Sequence, residues 1–267
     1  MRTPDVISAD LKAALRRLKL SPMLETLPER LALARQNNMP HQDFMLAAFV
    51  DEVERRDRKA AQNRADKAQL DPGMHLAAWD ETAKVTYDRG LWAELCTLRF
   101  VDAHHHLLLL GPVGVGKTFL ATALAHIACR RGYSTQMMRA QKLFKLLKAS
   151  RLDHTYEREM RRLLSIDLLV VDDFGLDQMD ALESRDLYDI IVDRHQRGSI
   201  IVTSNRDPDE WLPLLADPLR AQSAIDRLQN SAHELVIEGE SYRKRQKPRS
   251  GSASTAGATT DKISAPE

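Results

Sequence analysis

The run from Leu107 to Thr118, Leu-Leu-Leu-Leu-Gly-Pro-Val-Gly-Val-Gly-Lys-Thr, constrains this chain more than any other stretch. Four leucines, a glycine-punctuated turn and then Phe119-Leu-Ala-Thr-Ala-Leu-Ala125 read as a buried strand, a loop and a helix. Gly111, Gly116, Lys117 and Thr118 fall at the spacing G-x-x-x-x-G-K-[ST]. The glycines let the backbone turn its N–H groups inward around a phosphate, and the following helix aims its positive end at the same anion. Gly111, Pro112, Val113, Gly114, Val115, Gly116, Lys117, Thr118 and Phe119 are therefore expected to hold a nucleotide's phosphates. Lys117 would reach the β- and γ-phosphates, and the Thr118 hydroxyl would take a coordination site on Mg²⁺.

A second apolar run, Asp167-Leu-Leu-Val-Val-Asp-Asp173, ends in paired carboxylates 55 residues after Lys117. A third, Ser199-Ile-Ile-Val-Thr203, runs into Ser204 and Asn205. Helical sequence separates these runs, which predicts an α/β fold with a parallel sheet flanked by helices. In such sheets the chemistry gathers at the carboxyl ends of the strands. Asp172 is expected to be the Walker B ligand of the Mg²⁺, directly or through water. Asp173 would act as general base on the attacking water, and Asn205 would bond that water or the γ-phosphate.

Ahead of this core the pattern is helical. Leu11, Ala14, Leu15 and Leu18 lie at helical spacing, Ser21-Pro22 opens a second helix, and Pro28 is expected to kink or restart it. A third helix should run from about Gln42 to residue 68, its later half charged, with Asp51–Arg55 and Glu54–Arg58 as i,i+4 pairs. Its basic excess (Arg55, Arg56, Arg58, Lys59, Arg64, Lys67) suits either a solvated face or phosphate contacts. Leu70-Asp-Pro-Gly73 is a turn signal and the expected boundary between a helical N-terminal domain, 1–69, and an ATPase domain, 70–248. A short helix around 89–100 leads towards the first strand, and His104, His105 and His106 before it read as a solvated loop. Residues 249–267 are small and polar, the composition of a disordered tail.

With 39 basic and 38 acidic residues, net charge identifies no partner, so polyanion affinity must come from local patches. One such patch is Ser241-Tyr-Arg-Lys-Arg-Gln-Lys-Pro-Arg249, with five positive charges and no base-reading motif, which favours sequence-independent DNA contacts. Two cysteines, Cys96 and Cys129, give neither a disulfide framework nor metal spacing. No apolar stretch is long enough to span a bilayer, and the first residues do not lead into a signal peptide, so a soluble cytoplasmic protein is expected.

One strand between the two Walker strands and a polar-tipped strand after them is an order similar to that of AAA+ ATPases rather than kinase-like P-loop proteins. No lid or second substrate segment follows the phosphate-loop helix, which also counts against a kinase. The AAA+ resemblance implies an oligomer in which a neighbour's arginine completes each site. Arg227 is the expected finger, with Arg220 and Arg206 behind it. The chain more specifically resembles IstB-type transposition helper ATPases, kin of the DnaC helicase loaders. The residues that carry this are Leu98–Val101, Leu108–Thr118, Leu168–Gly175, Val202–Asn205, Ile225–Leu228 and Gly239–Arg243. That resemblance implies ATP and Mg²⁺ as cofactors, a homo-oligomer on duplex DNA, and an IstA-type transposase as partner. A DnaC-like helicase loader, gripping a helicase through its N-terminal helices, is the alternative. Asp173 departs from the glutamate usual in the wider AAA+ class; the side chain is one methylene shorter, and slow turnover or a differently placed water is the expected consequence.

Overall fold

The computed structural model describes residues 7–242, so most of the basic run and all of the tail lie outside the described residues. Three helices open it: α1 (Ala9–Arg17), α2 (Met23–Gln36) and α3 (His41–Lys67). Ser8 caps α1 by accepting the Leu11 N–H. Contrary to expectation, α2 runs without interruption through Pro28. A proline there forfeits only the bond its N–H would have made to the Leu24 carbonyl, and burial of Leu27 with Met23, Leu15 and Ala48 holds the helix in place.

The first half of α3 packs on α2 and its second half on the phosphate-loop helix. Its ion pairs differ from those expected. Asp51 turns to Arg30 of α2 in a bidentate pair, both bonds 2.7 Å, rather than to Arg55. Arg55 and Arg56 instead clamp Glu52, which is 4% exposed, and Arg55 chiefly holds its carboxyl down to about 2. Arg58 bonds the Glu54 carbonyl oxygen rather than its carboxylate. Arg64 donates to the Cys129 carbonyl at 2.7 Å. Much of the basic excess on α3 thus serves packing, while Arg58, Lys59 and Lys67 stay exposed.

The remaining elements are β1 (Val85–Thr86), α4 (Arg89–Cys96), α5 (Arg99–Asp102), β2 (His106–Leu110), α6 (Lys117–Arg131), β3 (Thr135–Arg139), α7 (Ala140–Leu152), α8 (Tyr156–Leu164), β4 (Leu168–Phe174), α9 (Ala181–Arg194), β5 (Ser199–Ser204), α10 (Pro218–Asn230), β6 (Ala232–Val236) and β7 (Glu238–Gly239). The helix expected over 89–100 is two helices, broken where Leu98 takes φ +58°. The five long strands form a parallel sheet in the order β3-β4-β5-β2-β6, and β1 pairs antiparallel with β7.

Alternation along β2 shows how the sheet is buried on both faces. Leu107 and Leu109 face a cluster with Leu168, Val170, Ile201 and α6, while Leu108 and Leu110 face one with Leu169, Val171, Val202 and α7 to α10. A continuous leucine run is what a strand covered on both sides requires. His106 belongs to this core rather than to a solvated loop. It opens β2 with no exposed surface, its Nδ1 accepts the Ile200 N–H at 3.2 Å, and burial pushes its pKa down to about 4.

Candidate functional site: a phosphate loop at three strand ends

The site follows from strand register. Leu110 at the end of β2 sits opposite Ser204 at the end of β5, and Phe174 at the end of β4 also sits opposite Ser204. The phosphate loop, Asp172-Asp173 and Asn205 therefore emerge side by side, as expected at the carboxyl edge of a parallel sheet. Gly116, at φ +100°, turns the loop into α6. A Cβ there would stand 2.8 Å from the Trp79 ring, so glycine is required for both conformation and space.

Lys117, only 6% exposed, folds its ammonium back into the loop. It donates to the Gly111 carbonyl at 2.7 Å, the Pro112 carbonyl at 2.8 Å and Asn205 Oδ1 at 2.5 Å. The side chain that would meet the outer phosphates and the amide that would order water thus share one hydrogen bond across two strands.

Beneath them, Asp172 Oδ1 accepts from the Thr118 hydroxyl at 2.9 Å and the Thr203 hydroxyl at 2.6 Å. Burial raises the Asp172 pKa, the two hydroxyls oppose the rise, and neighbouring Asp173 adds to it. A buried carboxylate and a hydroxyl in contact are an oxygen donor pair suited to Mg²⁺, whose charge would offset the cost of keeping Asp172 ionised.

Asp173 stands apart from its neighbour. The ladder between β4 and β5 slips between Val171 and Phe174, and Asp173 takes φ +56° at that irregularity. A bulge of this kind re-aims a side chain, and Asp tolerates the left-handed region better than most residues. Its N–H donates to Thr203 Oγ1 at 3.0 Å, and its carboxylate lines the cleft with the Arg139 Nε 3.7 Å away.

The cleft has a volume of about 660 Å³ and is lined by Val113 to Phe119, Asp173 and Asn205. Gly111 and Pro112 contribute through their carbonyls, and Asp172 lies below the surface. Among the described residues no arginine lines it. Arg227 lies on α10 and bonds the Ser223 carbonyl at 3.0 Å and the Ser223 hydroxyl. Arg220 pairs with Asp217 at 3.4 Å. Arg206 donates to the Gly175 carbonyl at 2.9 Å and faces Glu210 at 3.5 Å.

Sequence reasoning missed the far wall of the cleft, formed by residues between Asp71 and Val85 together with Tyr242. The available signal was Trp79, a large aromatic in a stretch that otherwise reads as a linker.

Comparison with known proteins bears on the family of the chain. The family described as IstB-like ATP binding protein matches residues 13–250. An ATP-binding protein in an insertion sequence of Mycobacterium tuberculosis is 36% identical over 239 residues, covering 89% of this chain and 95% of the relative. The ATP-binding protein of insertion sequence IS21 from Pseudomonas aeruginosa is 30% identical over 242 residues, covering 91% of each. Among solved structures the DnaC helicase loader superimposes with a TM-score of 0.51 at 21% identity, covering 62% of this chain and 98% of that one; this likeness bears on the fold alone. With β5 between the phosphate-loop strand and the Asp172 strand, the sheet is that of an AAA+ core, and the chain belongs to the IstB-like ATP-binding protein family.

Proposed function

We propose that this protein is a cytoplasmic ATPase that assembles as a homo-oligomer on duplex DNA, presents that DNA to an IstA-type transposase, and resets the assembly by hydrolysing ATP. The observation that carries the reading is the pairing of Lys117 with Asn205 and of Thr118 with Asp172 at three adjacent strand ends. The insertion-sequence names of its relatives support the transposition context.

Lys117 exchanges its carbonyl partners for phosphate oxygens when ATP binds. Thr118 and Asp172 would hold Mg²⁺, which would neutralise charge on the β- and γ-phosphates. Asp173, turned into the cleft by its left-handed backbone, takes a proton from the attacking water, while Asn205 orients that water. Arg227 reaches the site of the adjoining subunit, where a cation offsets charge developing on the transferring phosphoryl group. Dependence of turnover on a neighbour makes hydrolysis a property of the assembled form.

Binding of a random-sequence duplex, followed by fluorescence anisotropy with ATP, with ADP and without nucleotide, tests this. Tight binding should require ATP and should fall steeply between ~50 and ~200 mM salt. Equal binding with and without nucleotide, or a flat salt dependence, would overturn it.

A further inference from the structure

The irregularity between β4 and β5 has a definite count. The strands pair one to one from Leu168–Ser199 to Val171–Val202, and the next pair is Phe174–Ser204. Over that interval β4 advances through Asp172, Asp173 and Phe174, while β5 advances only through Thr203 and Ser204. Asp172 and Asp173 thus both stand opposite Thr203, the two-against-one arrangement of a β-bulge. A bulge gives up ladder bonds locally, so the extra residue must be held by something other than paired backbone.

Two adjacent hydroxyls of β5 hold it. Thr203 has no exposed surface, and Ser204 is buried beside it. Thr203 Oγ1 donates its one proton to Asp172 Oδ1 at 2.6 Å and accepts the Asp173 N–H at 3.0 Å, so a single hydroxyl bridges both members of the bulge. The directions follow from the groups: a carboxylate oxygen accepts, and a backbone N–H donates. Ser204 Oγ secures the residue that follows. It donates to the Phe174 carbonyl at 2.9 Å and accepts the Arg206 N–H at 3.1 Å and the Trp211 Nε1–H at 3.2 Å, which uses its donor and both its lone pairs. Trp211, with no exposed surface, meets the Phe174 ring edge-on with centroids 4.7 Å apart.

The consequence is directional. In a regular strand Asp172 and Asp173 would alternate across the sheet. Here Asp172 stays beneath the cleft on the Thr118 and Thr203 hydroxyls, while Asp173, at φ +56°, lines the cleft with its N–H tied back to Thr203. The clamp on that left-handed turn comes from the neighbouring strand. We infer that Thr203 is a positioning residue for hydrolysis: its hydroxyl fixes the bulge that aims the Asp173 carboxylate into the cleft, with Ser204 and Trp211 pinning the far side. The inference rests on the reading of Asp173 as the base, but it makes a separate demand on a side chain that has no surface in the cleft.

The test uses Thr203→Val, which keeps the branched shape and removes both bonds, and Thr203→Ser, which keeps the hydroxyl. Three quantities are measured on the full chain: ATP turnover with duplex DNA, calorimetric affinity for a non-hydrolysable ATP analogue, and hydrogen exchange at the Asp173 amide without nucleotide. Thr203→Val should lower kcat about a hundredfold, as expected for a reacting group misplaced by roughly 1 Å. Its affinity for the analogue should stay within about threefold of wild type, because the loss falls on the chemical step. Thr203→Ser should regain most of the turnover. The Asp173 amide should exchange slowly in wild type and in Thr203→Ser, and about tenfold or more faster in Thr203→Val. The wild-type exchange measurement stands even where Thr203→Val fails to fold: an Asp173 amide that exchanges as freely as an exposed loop overturns the clamp. Where Asp173→Asn is inactive, normal turnover in Thr203→Val, or a parallel loss of kcat and analogue affinity, overturns the positioning role. Full turnover in Asp173→Asn would instead overturn the reading of Asp173 as the base.

Discussion

Lys117→Ala tests the whole site because the side chain is already engaged by other groups of the protein. Its ammonium donates to two carbonyls and to Asn205 Oδ1 at 2.5–2.8 Å, so nucleotide binding must exchange those bonds for bonds to phosphate. Hydrogen bonds that involve a charged group are worth about 1.5–3 kcal/mol, with a neutral carbonyl acceptor towards the lower end of that range and an ionised phosphate oxygen towards the upper end. Each exchanged bond thus gains on the order of 1–1.5 kcal/mol, and two or three of them gain about 2–4 kcal/mol. At about 1.4 kcal/mol per tenfold, the Kd for ATP with Mg²⁺ should rise about 30- to 1,000-fold, measured by calorimetry. Stability without nucleotide should change far less, by about 1 kcal/mol, because the three acceptors border an open cleft where water can replace the ammonium. A melting curve separates the two effects. A Kd within about threefold of wild type, in a variant that melts normally, would refute the assignment of Lys117 to phosphate.

Two further expectations address different parts of the molecule. Asp173→Asn should bind ATP and persist on DNA without turnover, and Arg227→Ala should lose both turnover and assembly. Mixing the two inactive proteins should restore part of the hydrolysis, since one supplies the arginine and the other the carboxylate; no recovery in demonstrably mixed assemblies would remove Arg227 from the site. The second concerns His106, whose pKa is lowered from 6.5 to about 4 by burial first, with Arg194, His195 and His105 adding to the effect. Because the folded-state pKa is the lower one, the unfolded chain takes the proton first. Stability is therefore full above about pH 6.5 and falls towards pH 4, by about 3 kcal/mol in total and about 2 kcal/mol by pH 5. Urea midpoints for wild type and His106→Gln should converge as pH falls, and parallel pH profiles would contradict this.

The sequence by itself determined the local chemistry. Gly111 to Thr118 and Asp172-Asp173 follow directly on apolar runs, and Asn205 follows one after Thr203 and Ser204, so strand, tip and candidate site residue lie close together and can be read without knowing the fold. The leucines of β2 likewise announce a strand buried on both faces. Tertiary structure decided how these pieces meet. Nothing local to Asn205 specifies that β5 lies between β2 and β4, yet that order places its amide on Lys117 and the Thr203 hydroxyl on Asp172. The buried role of His106 was hidden because three adjacent histidines look polar, and only the register with β5 gives its Nδ1 a backbone donor. Asp51 was misjudged because Arg30 on α2 takes the carboxylate expected to meet Arg55, and Pro28 because burial of Leu27 and Met23 holds the helix across one lost backbone bond. The far wall of the cleft was least visible of all. Trp79 and Tyr242 are 163 positions apart, and only the β1–β7 pairing and the Tyr242 bond to Gly114 bring them to one cleft. Periodicity and motif spacing record what a residue does with its chain neighbours, whereas a site closed by two distant segments exists only once the intervening chain has folded between them.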